Sequence, residues 1–356
     1  SSRPPSTMNE PRSFLLLRTS ALGDVIHALP VLTALRRRFP RARIGWVVEE
    51  PFAPLLDHHA DLDEVIPVRL RAWRKRPLGG ETLREIAALR KRLHSFEADV
   101  VLDLMGNHKA GVLGLLTGAT RRLGAARRDR REPSSAIWIG EEVPTEGPHA
   151  VDRMLSLLEP LGVAREPVDF GGEKLFPQSD AYPMEALGGL PERFALLHPG
   201  AGWANKRYPP GLWGEVAHTL REENGVPTVV SISASDFERD LAAQIVAASR
   251  GAAIGVPAKD LATLAALTRR SSLVLGSDSG PSHLAVALGV PVVMVMGPTD
   301  PTTHGPYGAA ENAIIERLPC SFCHKRFGEV KVCLLAIPPQ RIARRAAEIL
   351  SDLAET

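Results

Sequence analysis

The chain has 356 residues, of which 44% are hydrophobic, and its 43 Lys and Arg against 41 Asp and Glu leave a net charge of +2. That length implies about two domains with ample core, and the balanced charge excludes a polycation that coats nucleic acid. No apolar run approaches the roughly 20 residues that span a bilayer, so any membrane contact is expected to be peripheral.

The opening SSRPPSTMNE is polar and Pro-rich, and residues 1–12 are expected to be disordered, with Met8 a natural start. Phe14–Leu17 then reads as a short strand, Arg18–Gly23 as a turn, and Asp24 as the opening of a helix whose apolar positions Val25, Leu29, Leu32 and Leu35 recur at helical spacing. Strands at Ile44–Val48, Val65–Val68 and Val100–Leu104 alternate with helices at Glu81–His94 and Lys109–Thr117. Such alternation predicts a parallel sheet with helices on both faces and ligands beyond the carboxyl ends of its strands. Asp24 lies at such an end. Two readings of it stand side by side: an N-cap for its helix, or a carboxylate that accepts a proton from a substrate hydroxyl. The helix N-terminus favours its ionised form, which a base requires.

Two basic stretches follow, Arg69–Arg76 and Arg121–Arg131, the second with six arginines against one aspartate. A charge run is ordinarily a solvated face. Both come after strands of the same half, however, where they are placed to converge on a polyanionic substrate, and the planar guanidinium fork binds carboxylate and phosphate bidentately. Trp73 either stacks on a sugar or is half-packed in its loop.

Between Val163 and Pro191 the chain is rich in Gly, Pro and Asp without periodicity. A linker is placed at 171–190, between an N-terminal domain at 13–170 and a second at 191–335. The strand Phe194–His198 leads into a Gly-rich loop carrying Lys206, then the helix Leu212–Glu223. Lys206 is either a surface cation or the group that neutralises a phosphate leaving group. The strand Val226–Ile232 precedes helices at Asp236–Ser249 and Leu261–Thr268. Glu238 reads first as a surface acid that compensates a helix dipole, and second as an acceptor from ribose hydroxyls.

The stretch SLVLGSDSGPSHLAVALGVPVVMVMGP, Ser272–Pro298, is a βαβ unit. Pro281 in the first helical turn leaves the amides around Ser279 and Gly280 pointing out of the helix, where a diphosphate is the natural guest; Asp278 or Ser279 as an ordinary cap is the other reading. His283, one turn in, either looks toward the phosphates or is a buried, satisfied histidine. The three cysteines, an odd count, argue for a reducing, cytoplasmic compartment. Cys320, Cys323, His324 and Cys333 are four potential zinc ligands. Their spacing is irregular, and they read better as reduced thiols in a loop crossing back to the first domain, with no metal expected. Ile342, Ala346, Ile349 and Leu353 stripe a closing helix within 336–356, expected to pack back toward the N-terminal domain.

Arg18–Pro30 (RTSALGDVIHALP), His198–Pro209 (HPGAGWANKRYP) and Gly276–Leu284 (GSDSGPSHL) together resemble the lipopolysaccharide heptosyltransferases of glycosyltransferase family 9, and Ala72–Lys75 is similar to the branch that acts first in that pathway. The resemblance implies an α/β protein of two doubly wound, Rossmann-like domains of GT-B type facing an interdomain cleft. It implies an inverting transferase that needs no metal or cofactor, cytoplasmic and peripheral to the inner membrane, without a nucleic-acid partner. The second domain would hold ADP-L-glycero-D-manno-heptose and the first a Kdo-lipid A acceptor. By the same resemblance Asp24 is the general base, and Lys206, which also acts in catalysis, joins Glu238, Asp278, Ser279, Gly280 and His283 in the donor site. Arg18, Thr19, Ser20, Arg74, Lys75 and Arg121 are assigned to the acceptor. Asp278 would repel a diphosphate and is expected to bond sugar hydroxyls or backbone amides. Two rivals remain: the same fold acting on another nucleotide sugar or acceptor, and a non-catalytic module that binds nucleic acid or acidic membranes through its arginines.

Overall fold

In the computed structural model the described residues are 10–177, 189–326 and 332–355. Of the segments read as disordered or linking, residues 1–9 and 178–188 lie outside them.

The chain divides into two compact units. The first takes the chain up to Ser20, Ala28–Glu146 and Asp152–Asp169, while Ala21–His27, Gly147–Val151 and the chain from Phe170 onward form the second. The two short excursions, of which Ala21–His27 carries Asp24, depart from the continuous division expected at 171–190.

In the first unit β1 (Ser13–Leu17), β2 (Arg43–Glu49), β3 (Glu64–Val68), β4 (Val100–Asp103), β5 (Arg121–Ala125) and β6 (Glu141–Val143) form one parallel sheet in the order β3-β2-β1-β4-β5-β6. Leu15 and Leu17 lie with Val47, Ile66 and Val101 in a core closed by Leu89, Leu93, Phe96 and Leu113. In the second unit β7 (Ala195–His198), β8 (Thr228–Ile232), β9 (Ala253–Pro257), β10 (Leu273–Ser277), β11 (Val292–Met296) and β12 (Ala313–Ile315) repeat the plan as β12-β11-β10-β7-β8-β9. The central strands β1, β10 and β11 are buried along their whole length, as strands covered on both faces must be. Strand order reverses between β1 and β4 in one sheet and between β7 and β10 in the other. A doubly wound sheet binds ligands at such a reversal, beyond the carboxyl ends.

Two expectations are corrected. The helix read from Asp24 to Leu35 is two, Leu22–His27 and Leu29–Arg38, with Pro30 in the first turn of the second; proline has no N–H to continue the ladder. The basic stretch Arg121–Arg131 begins with β5 itself. The final helix, Pro339–Glu355, packs on the helix Pro210–Asn224 and on β11, and its stripe Ile342, Ala346 and Ile349 completes the core of the second unit. Of the Cys-bearing stretch, in which residues 327–331 lie outside the described residues, Phe322 and His324 donate their N–H groups to the carbonyls of Gly297 and Pro298 in the same unit.

Candidate functional site

The site is built in the second unit around the end of β10. Asp278 follows that strand and is buried, 7% exposed. Its Oδ2 accepts from Lys206 Nζ at 2.5 Å and from Thr299 Oγ1 at 2.5 Å, and its Oδ1 lies 3.1 Å from His283 Nε2. Burial by itself raises the Asp278 pKa. The His283 hydrogen bond and the Lys206 charge outweigh that and hold the carboxyl well below its usual range. The partners of both Asp278 oxygens in the protein itself are side chains.

Lys206 comes from the loop after β7, the strand that pairs with β10. Its ammonium lies 4.6 Å from the Trp203 ring centroid, a cation–π contact that restricts a flexible side chain. The Glu238 carboxylate lies against Gly200 of the same loop, where a Cβ would meet Oε1 at 2.1 Å. Glu238 is half-buried.

Ser279 precedes the helix Gly280–Ala287 in extended conformation and makes no side-chain cap. Its buried hydroxyl has no partner among the described residues. Gly280 and Pro281 open that helix, so the first-turn amides face outward from a positive helix end. Asp24 is the third residue of the helix Leu22–His27, and its Oδ2 accepts from the Ala21 N–H at 3.0 Å, the reach-back half of a capping box. The capping reading is thus realised in a form that leaves Asp24 half-buried.

Two glycines bring these helices together. A Cβ on Gly23 would lie 2.6 Å from His283 Cδ2, and one on Gly280 would lie 2.6 Å from Leu22 Cδ2. Neither position has room for a side chain. The same approach assembles a cluster that the sequence reading missed. His27 Nε2 lies 3.1 Å from His283 Nδ1. The His27 ring centroid lies 4.3 Å from that of His283, 5.1 Å from that of His149 and 6.2 Å from that of His304. Burial pushes the His304 pKa down to about 4, against the pull of the Asp278 and Asp24 carboxylates. His27 is driven well below its ordinary value by burial and by its three histidine neighbours. Among the described residues no group of three or more His, Cys, Asp or Glu is arranged to hold a metal ion.

The residues assigned to the acceptor lie in the first unit. Arg18, Thr19 and Ser20 follow β1, where Arg18 Nη1 donates to the carbonyl of Leu104 and buried Thr19 meets Met105 Sδ through its N–H and hydroxyl. Arg74 and Lys75 end the short helix Leu70–Lys75 after β3 and are exposed. Arg121 begins β5, at the amino end of that strand, with Nε 3.0 Å from Glu141 Oε2. Within its run Arg130 is also structural, buried in an ion pair with Asp103 and bonded to Ser135 Oγ at 2.8 Å. Trp73 is half-packed, its indole N–H donated to Glu85.

Residues 86–333 match glycosyltransferase family 9 (heptosyltransferase). The chain is 32% identical to lipopolysaccharide heptosyltransferase 1 of Pseudomonas aeruginosa over 94% of its own length and 97% of the relative's. It is 29% identical to lipopolysaccharide heptosyltransferase 1 of Escherichia coli K12, covering 86% of this chain and 93% of that one. Among solved structures, E. coli heptosyltransferase WaaC with ADP superposes with a TM-score of 0.79 at 27% identity, covering 95% of this chain and 99% of that one. The same enzyme with ADP-2-deoxy-2-fluoro heptose gives 0.76 at 26% identity, covering 94% and 99%. With a family match over most of its length and full-length relatives of one kind, the chain belongs to glycosyltransferase family 9, the heptosyltransferases.

Proposed function

We propose that this protein transfers heptose from ADP-L-glycero-D-manno-heptose to the Kdo-bearing inner core of lipopolysaccharide, with inversion and without a metal. The observation that carries the reading is the assembly of Asp24, Lys206, Asp278, Ser279 and Gly280 at the strand reversal of one doubly wound unit. ADP and a fluorinated ADP-heptose in the WaaC complexes support the choice of donor.

In a single displacement Asp24 accepts the proton of an acceptor hydroxyl as that oxygen attacks the anomeric carbon, and ADP leaves from the opposite face. Negative charge then builds on the diphosphate. Lys206, oriented by Asp278, and the first-turn amides of the helix Gly280–Ala287 stabilise it, an effect worth about 3 kcal/mol per preorganised donor. Ser279 Oγ offers a further hydrogen bond. Glu238, across the Gly-rich loop, suits the ribose hydroxyls of the nucleotide. The exposed Arg74 and Lys75 suit the acidic sugars and phosphates of the acceptor, at the surface of an anionic membrane. The described residues include no helix long and apolar enough to cross a membrane.

The test is transfer from ADP-heptose to a Kdo-bearing acceptor, with Asp24→Ala as the control. Transfer is expected to collapse in the variant while ADP still binds by calorimetry. Retained turnover removes Asp24 from its role, and the absence of transfer by the unaltered protein rejects the reaction.

A further inference from the structure

We propose that His27 is a positioning residue for this reaction: it donates Nε2–H to His283 Nδ1 and so fixes the imidazole that holds Asp278, and through Asp278 the ammonium of Lys206. The proposal rests on the transferase reading. It adds a buried residue that touches neither donor nor acceptor in that scheme.

The direction of the chain follows from donor and acceptor capacity. Asp278 is ionised and only accepts, so the His283 nitrogen 3.1 Å away, Nε2, carries a hydrogen. With one hydrogen on the His283 ring, Nδ1 is an acceptor, and the group 3.1 Å from it is His27 Nε2, which we assign as the donor. His27 is 3% exposed and held neutral by its surroundings. Its Nδ1, the acceptor in that tautomer, has no hydrogen-bond partner among the described residues. One unsatisfied buried nitrogen is tolerated on His27 while the bond it gives to His283 is kept, an arrangement that packing by itself does not call for.

The charged and titratable groups that face this pair are Asp278 and Lys206 from the strand-end loops, His149 from Gly147–Val151, His304 from Pro301–His304, and Asp24 on the same helix as His27. The group within hydrogen-bond distance of His283 Nδ1 is His27 Nε2, at 3.1 Å. His149 Nε2 goes to the Gly305 carbonyl at 3.1 Å, and Asp24 to the Ala21 amide. Removing the His27 donor therefore leaves His283 without its second anchor, free to rotate off Asp278. Lys206 then loses the fixed carboxylate that aims it, an effect felt when charge develops in the transition state and less when donor binds.

Two measurements test this. In the ligand-free protein, 1H–15N spectra of the histidine rings are expected to show His27 and His283 as Nε2–H tautomers with a through-hydrogen-bond coupling from His27 Nε2 to His283 Nδ1. In transfer assays His27→Phe is expected to lower kcat at least tenfold with KM for ADP-heptose changed less than threefold. His27→Gln, whose amide nitrogen replaces Nε2 as donor, is expected to recover most of that loss. The opposite tautomer, a kcat for His27→Phe within twofold of the unaltered protein, or equal impairment of the Gln and Phe variants overturns the proposal. If the unaltered protein transfers nothing, the transferase reading fails while the coupling still decides the His27–His283 bond. A missing coupling in an active enzyme rejects the inference alone.

Discussion

Lys206 and Asp278 each hold the other's charge in a place where neither would stay alone. Their side chains are 14% and 7% exposed, and the ion pair between them spans 2.5 Å. Breaking a buried pair from one side typically costs about 3–5 kcal/mol, because the remaining charge has lost both water and partner. Lys206→Ala is therefore expected to lower stability by about 3 kcal/mol and to reduce transfer in both KM and kcat. Adding Asp278→Asn removes the stranded charge, so the double variant should regain more than half of the stability and none of the activity. Urea denaturation of the four proteins measures this, and strictly additive losses would show that the two residues do not act as a pair.

At the scale of elements, the close approach of the helices Leu22–His27 and Gly280–Ala287 is what brings the motif around Asp24 to the motif around Asp278. A methyl group on Gly280 would lie 2.6–2.8 Å from Leu22 side-chain carbons. Overpacking of this kind costs about 1–3 kcal/mol. Gly280→Ala should accordingly destabilise the protein and weaken ADP binding, and Leu22→Ala in the same chain should return part of both. If Leu22→Ala gives no relief, the contact is not what makes Gly280 necessary.

These two motifs were legible separately, because small residues at the carboxyl end of an apolar strand mark a strand-to-helix turn. Their contact was not. The histidines that join them sit at 27, 149, 283 and 304, and no periodicity links such distant positions. Among the strands, the apolar runs Leu15–Leu17 and Val292–Met296 declared themselves because both faces are covered. The strands β6, β9 and β12 lie at sheet edges and are short or half exposed. The arginines disguised β5: Arg122 folds back onto the carbonyls of Trp138 and Ala119, which satisfies a guanidinium that reads in sequence as solvated.

For the molecule as a whole, the buried histidines set how stability responds to acid. Burial depresses His27, helped by His283, His149 and His304; it depresses His198 against the pull of Glu238; and it brings His304 to about 4. Unfolded, each takes up a proton near pH 6.5. Below that pH the unfolded chain binds more protons than the folded one, so stability falls as the pH drops, by about 1.4 kcal/mol per pH unit for each histidine that stays neutral when folded. Asp278 acts in the same direction in a lower window: its contribution is intact above about pH 4, the unfolded value, and is lost as the pH falls toward its depressed folded value. Glu49 in β2 opposes them, since burial raises its pKa and its contribution is lost as the pH rises past its ordinary value. Three histidines outweigh one carboxyl. The melting temperature is therefore expected to fall steadily from pH 7 to pH 5. His304→Gln cannot take up the proton in either state, and its decline over the same interval should be roughly a third smaller. Parallel melting curves for the two proteins would show that His304 is already protonated in the fold, and that the polar cluster around Asp278 carries a charge that its burial argues against.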